Sequence, residues 1–269
     1  MHWRRIIALS GAVVFLLTAV LVAQTRGRRW QKYEYEMQDP VDDPPDAWVE
    51  REFVFARLRY RSIYERSFLG GRARWGTDAN KSDRLFMTAL RRLSRVETRS
   101  VEEVLDVDED QMFNFPWMYA VAAGDWRISP TQAARLRQYF DRGGFLMVDD
   151  FHAGGEWQGF MDGIHQIYPN ARVIEIAQDD PIFHTVYDMN DLVQISGANI
   201  IRGFPYERGG VVPHWRAVVD DKDRVQVAIC FNMDVGDAWE WSDYPPYPEH
   251  LANLAFRLGV NYAVYSLSH

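Results

Sequence analysis

Apolar residues along this chain alternate between a period of two and a period near 3.6, and the switches between them mark out the elements. Phe53, Phe55 and Arg57 share one side of an alternating run, with Val54, Ala56, Leu58 and Tyr60 on the other, which predicts a strand over 53–60. Ser67 to Asn80 has no period and is rich in Gly, Arg and aromatic residues, as expected of a long loop. Lys81 to Val96 follows helical spacing: Leu85, Ala89 and Leu93 form a stripe, Phe86 and Leu90 lie beside it, and Asp78 or Asn80 stands where a cap belongs. Thr98 to Val104 predicts a short strand, Asp106 to Gln111 an acidic turn, and Phe115 to Ala122 an apolar strand closed by Gly124. Ser129-Pro130 opens a helix to Asp141 that buries Ala133, Leu136 and Phe140.

Gly143-Gly144 ends that helix, and Phe145 to Val148 is a short apolar run that stops at Asp149-Asp150-Phe151-His152. Such a run after a helix reads as a central strand buried on both faces. Polar groups at its carboxyl end lie where open α/β sheets hold their ligands.

The second half continues the alternation less regularly. Trp157 to Tyr168 predicts a helix weakened by Gly159 and Gly163, and Arg172 to Ile176 a short strand. Asp180-Pro181 starts a turn into Ile182, Phe183 and His184, and Tyr187 to Val212 is a glycine-rich excursion. Trp215 to Val219 and Val225 to Phe231 flank Asp220-Asp221-Lys222-Asp223 as a hairpin. Asn232 to Tyr247 reads as a long polar-aromatic loop, and Pro248 to Leu258 as a helix ended by Gly259. Tyr262 to Leu267 is a last strand or a helix extension. The pattern predicts a doubly wound, mostly parallel α/β sheet with helices on both faces and a late antiparallel addition.

The amino terminus departs from this alternation. Ile6 to Ala23 is almost wholly apolar and long enough to span a bilayer, and Arg4 and Arg5 before it favour export of the bulk of the chain. Arg26, Arg28, Arg29 and Lys32 oppose that orientation. A cleaved signal peptide, with Leu21-Val22-Ala23 as a poor cleavage site, and a buried core helix are the other readings. The expected organisation is an anchor or signal segment over 1–29, an acidic, proline-containing tether over 30–50, and an α/β domain over 51–269.

Composition narrows the function classes. The 269 residues are 47% hydrophobic and 14% aromatic, enough for one substantial core. A net charge of -8 argues against nonspecific nucleic-acid binding. Cys230 is the only cysteine, so neither an intrachain disulfide nor a cysteine-rich zinc site can form.

Four separated stretches resemble a known family in order: Phe55-Ala56-Arg57-Leu58-Arg59-Tyr60, Gly143 to Phe151, Asp180-Pro181-Ile182-Phe183-His184, and Asn232 to Trp241. They are similar to the bacterial DUF4159 domain, and the resemblance covers about Glu50 to His269. It implies a flavodoxin-like fold of the class I glutamine-amidotransferase-like (ThuA-like) type. It also implies a bacterial membrane setting with AAA+ ATPases or von Willebrand A-type proteins as partners. It supplies no reaction. The amidotransferase nucleophile is a cysteine on a strand-to-helix turn, but Asp149-Asp150-Phe151-His152 stands after the central strand here, and Cys230 lies inside an apolar strand.

Four groups of residues carry the candidate chemistry. Asp149, Asp150, His152 and Glu156 offer carboxylates and an imidazole for acid-base work or a ligand, in a spacing that matches no strong metal motif. Asn232, Asp234, Asp237, Glu240 and Asp243 alternate with Trp239, Trp241 and Tyr244, which suits either a ligand platform or packing. His184 follows a turn and is a further catalytic candidate or a local hydrogen-bonding group. Arg57 and Arg59, with the arginines after them and Tyr60, suit an anionic ligand.

The leading expectation is a membrane-tethered or exported, non-catalytic module that binds a small ligand or a protein partner through Arg57, Arg59, Asp234, Asp237, Trp239 and Glu240, without a cofactor or metal. The competing expectation is a hydrolase, metal-dependent or not, that uses Asp149, Asp150 or His152 with the Asp234–Trp239 loop.

Overall fold

The computed structural model describes residues 32–62 and 73–268. The chain divides after Glu34, and the unit from Tyr35 onward contains the sheet. The expected anchor or signal segment lies outside the described residues, and among those that are described no helix is long and apolar enough to cross a membrane.

Seven strands form the main sheet: β1 (Ala56–Arg59), β3 (Glu103–Asp106), β4 (Trp117–Val121), β6 (Phe145–Phe151), β7 (Arg172–Glu175), β8 (His214–Val219) and β9 (Val225–Phe231). Two short strands, β2 (Arg61–Ser62) and β5 (Trp126–Arg127), pair separately. The order across the main sheet is β3-β1-β4-β6-β9-β8-β7. Pairing is parallel from β3 through β9 and antiparallel at β9-β8 and β8-β7. The result is a mixed, mostly parallel α/β sheet whose outer strands are β3 and β7. Chain order runs one way from β1 to β3 and the other way from β4 through β6 to β9, so the sheet has a topological switch between β1 and β4.

Strand side chains alternate between two cores. Phe55, Trp117, Tyr119, Phe145, Met147, Ala228 and Cys230 face helices α1 (Lys81–Leu93), α4 (Val235–Glu240) and α5 (Glu249–Ser268). Met118, Ala120, Leu146, Val148, Val227 and Ile229 are buried on the opposite face. Helices α2 (Pro130–Asp141) and α3 (Ala153–Ile167), which bury Leu136, Phe140, Phe160 and Ile164, pack with each other there. Ser129 starts α2 with a capping box, its hydroxyl accepting from the Gln132 amide while the Gln132 side chain accepts from the Ser129 amide.

Several boundaries differ from the sequence pattern, each for a local reason. The first strand is regular only from Ala56, with Phe53 making a single bridge to Thr98. Helix α3 begins at Ala153, before its apolar stripe, because the His152 amide donates to Glu156 Oε2 at 2.6 Å and organises the first turn. The expected loop after Asn232 contains α4, a short helix. Helix α5 continues through Gly259, where a Cβ would stand 2.5 Å from the Phe86 ring and 2.8 Å from the Trp239 ring. That glycine permits close packing and does not end the helix.

The stretch read as a tether is held against the sheet from Tyr35 onward. Met37 and Ala47 are buried, Gln38 N donates to Gly76 O at 2.9 Å, and Val41 N donates to Asn80 Oδ1 at 2.9 Å. Its acidic residues serve as partners for arginines: Glu36 for Arg59 and Asp43 for Arg84.

Candidate functional site

The carboxyl ends of β6 and β9 are neighbours, and this brings together two acidic stretches far apart in sequence. Strand β6 changes register against β9 between Val148 and Phe151, and Asp150 there has φ 49. This is the local twist of a bulge, which re-aims side chains at a strand end. Asp149 turns into the domain: its Oδ2 accepts from Gly236 N at 2.8 Å and from the Tyr119 hydroxyl at 3.2 Å. Asp150 N donates to Met233 O at 3.2 Å, which joins the two strand ends directly. Asn232 Oδ1 accepts from Ala153 N at 2.9 Å, and its Nδ2 donates to Val212 O at 2.7 Å, so this side chain clamps the site from behind.

Five further carboxylates converge on the same end. Asp234 caps α4, its Oδ1 accepting from Asp237 N at 2.9 Å, while Asp237 Oδ2 accepts from Ala198 N at 2.6 Å. Glu207 arrives from the excursion and Asp78 from the loop before α1. One oxygen each of Glu207, Asp234 and Asp237, and likewise one each of Asp78, Asp237 and Glu240, lie within 4.8 Å of one another. Gly197 stands at the first of these groups, where a Cβ would be 2.6 Å from Asp234 Oδ2, 2.7 Å from Glu207 Oε1 and 2.9 Å from Asp237 Oδ2.

Like charges packed out of water resist ionisation. Burial, then Asp237 and Glu240, pushes the Asp78 carboxyl well above its ordinary range. Burial raises Asp149 in the same direction, and burial with Asp237 and Asp150 beside it raises Asp234. Glu240 is pushed up to about 7, by burial and then by Asp237.

His152 is buried, with Nε2 3.2 Å from Asp150 Oδ1, and among the described residues no hydrogen bond reaches its Nδ1. Arg208 covers this flank with Nη1 2.8 and 2.9 Å from the two Glu156 oxygens and Nη2 4.0 Å from Asp150.

The remaining expected site residues fall elsewhere. Arg57 is fully buried on β1 and spends every donor inside the domain: on both Asp83 oxygens, the Ser82 hydroxyl and the carbonyls of Trp75 and Thr77. Arg59 pairs with Glu36 at 2.9 Å and Asp106 at 2.8 Å. Trp239 packs in the core against Phe86, with ring centroids 4.6 Å apart, and presents no face to solvent. His184 is held by Asp188 Oδ1 at 2.9 Å and the Gln178 carbonyl at 3.0 Å, and none of its hydrogen bonds leads to the carboxylate cluster.

Asp78, Glu207 and Gly197 belong to the cluster but escaped the sequence pattern. Asp78 reads as a helix cap. The signal for Glu207 was its place in an excursion too long to serve as a connection.

The chain is thus an α/β domain with a carboxylate cluster beyond its central strands, and its one cysteine, Cys230, is the next-to-last residue of β9 and buried in the core. It matches the family model described as a domain of unknown function (DUF4159) over residues 54–267 and belongs to that family. No curated protein matches it.

Proposed function

We propose that this chain is an exported, membrane-tethered, non-catalytic module that binds a small polar ligand at the carboxyl ends of β6 and β9. The observation that carries this reading is a pair of adjoining groups that share Glu207, Asp150 with His152 on one side and Asp234 with Asp237 on the other, each with its ligating atoms within 4.8 Å of one another. Such a site suits a ligand rich in hydroxyl or ammonium donors, a saccharide or an amine. The strand order on either side of the switch supports a flavodoxin-like topology, and the glutamine-amidotransferase-like class rests on what the resemblance implies. The support for tethering through Ile6 to Ala23 is the amino-terminal apolar pattern, and the support for a bacterial membrane complex with an AAA+ ATPase or a von Willebrand A-type protein is the family resemblance alone.

The test is a melting and calorimetric titration of the full chain in mild detergent with glucose, glucosamine, spermidine and, as an anionic control, citrate. A donor-rich probe binds, citrate does not, and Asp150→Asn with Asp234→Asn weakens binding more than it lowers the melting temperature. If no probe binds, or if the double variant alters melting alone, the cluster is only a brace for the loops.

The His152–Asp150 pair favours a second reading, hydrolysis with His152 as base. Turnover of p-nitrophenyl acetate or phosphate that disappears in His152→Ala would establish it in place of the first.

A further inference from the structure

Asp78, Asp237 and Glu240 present a chemical problem that hydrogen bonding within the domain leaves open. One oxygen from each lies within 4.8 Å of the others, and Asp78 and Glu240 are 2% and 6% exposed. Asp78 Oδ2 is buried without a hydrogen-bond partner among the described residues. Gly236 opposite leaves it room, since a Cβ there would stand 2.6 Å from that oxygen. Among the described residues no lysine or arginine pairs with any of the three carboxylates. The basic groups nearby are spoken for: Lys81 Nζ is 2.8 Å from Asp243 Oδ1, and every Arg57 donor is engaged on β1 and the loop and helix beside it.

Two arrangements relieve buried, facing carboxylates: shared protons or a bound cation. The donor set distinguishes which cation. Three carboxylate oxygens with neither thiolate nor imidazole suit a hard ion such as Ca2+, Mg2+ or Mn2+ and disfavour zinc or copper. The spacing also fits, because metal–oxygen distances of about 2.0–2.6 Å put opposite ligands about 4–5 Å apart.

We propose that Asp78, Asp237 and Glu240 form a binding site for one hard divalent cation. The cation neutralises the three facing carboxylates. Asp237 also belongs to the neighbouring group with Glu207 and Asp234, so the ion sits beside the ligand position and orders it. The inference rests on reading this end of the sheet as a binding site, and it assigns the ion to the inner carboxylates in preference to the outer ones.

The experiment uses the full chain in mild detergent after chelator treatment, titrated calorimetrically with CaCl2 and MnCl2, with Mn2+ binding also followed by electron paramagnetic resonance. One ion binds per chain, with a dissociation constant of about 10 µM to 1 mM as for sensor and extracellular calcium sites. Asp78→Asn and Glu240→Gln each weaken it at least tenfold, whereas Glu207→Gln leaves it within about threefold.

Melting supplies a second readout. The cation raises the melting temperature of the unsubstituted chain. Asp78→Asn melts no lower than the unsubstituted chain without metal, because the oxygen it replaces has no hydrogen-bond partner to lose among the described residues, yet it no longer responds to the ion. Should Asp78→Asn fail to fold, Glu240→Gln alone decides the matter.

Absence of binding at millimolar Ca2+ and Mn2+ overturns the proposal. So does binding that survives Asp78→Asn and Glu240→Gln, or that Glu207→Gln abolishes equally. The ligand reading fails separately: its probes and its Asp150/Asp234 double variant are measured at fixed Ca2+, so a cation site without a ligand, or a ligand without a cation, is recognisable.

Discussion

Arg57→Met tests the account of the β1 core most directly. The guanidinium is fully buried and fork-bonded to Asp83, with further bonds to the Ser82 hydroxyl and to the Trp75 and Thr77 carbonyls at 3.0 and 2.9 Å. Burial works against its charge, but Asp83 beside it outweighs that loss and holds the guanidinium above its ordinary range. Removing it strands a buried carboxylate and two carbonyls.

Breaking one side of such a pair costs about 3–5 kcal/mol. For a domain of this size that is a fall of roughly 6–20 °C in Tm, at about 2–4 °C per kcal/mol. Arg57→Met with Asp83→Leu removes both charges and recovers at least about 2 kcal/mol, since a well-packed apolar pair often replaces a buried ion pair at little loss. The orphaned carbonyls keep part of the deficit, about 1–3 kcal/mol for a buried polar group without a partner. Urea unfolding followed by tryptophan fluorescence reads this, because Trp75, Trp117 and Trp239 are all buried. A single variant that loses less than about 1 kcal/mol, or a double variant no more stable than the single, would refute the reasoning and restore Arg57 as a candidate ligand-binding group.

Glu240→Gln should flatten the pH dependence of stability. A carboxyl raised from 4.5 to about 7 keeps its proton in the folded state where the unfolded chain has lost it, so stability falls as pH rises from about 4.5 to 7 and then levels. The full effect is at most about 3 kcal/mol; urea melts of both proteins from pH 4.5 to 8 that run parallel would count against it. Cys230 is buried in β9 with its thiol pushed well above the usual range by burial, so it should resist labelling in the native protein. Cys230→Ala should lose about 1–2 kcal/mol and no binding, and rapid native-state labelling coupled to lost binding would contradict this. Full-length chain should sediment with membranes while a form starting near Trp30 stays soluble, and unprocessed full-length chain recovered in the soluble fraction would exclude the anchor.

The period of the apolar residues carried the sheet and its main helices because those elements bury continuous faces, and burial leaves a regular trace. Asp149, Asp150 and Asp234 were readable as a candidate cluster because polar residues interrupt apolar runs at strand ends, and their adjacency follows from β6 pairing with β9. Arg57 and Trp239 misled because type alone does not reveal environment: an arginine on a strand and a tryptophan in a polar stretch are both interior here. Helix α4 was hidden by its shortness, since Val235–Glu240 gives less than two turns of pattern. Asp78 and Glu207 come from irregular segments, whose geometry depends on tertiary contacts that no local period records.

The two outer strands bear on how the domain could meet another protein. β3 and β7 are each four residues long; β3 begins and ends with Glu103 and Asp106, and β7 with Arg172 and Glu175. Short edges bounded by charge are poor templates for a foreign strand. The domain is thereby guarded against extending its sheet into a neighbour, whether as aggregate or as partner. Association must instead use side-chain surfaces, and the excursion offers Phe204, Tyr206, Val211 and Val212, all exposed to solvent. A partner that docks on them would be recognised by shape and apolar contact, and the sheet would keep its seven strands.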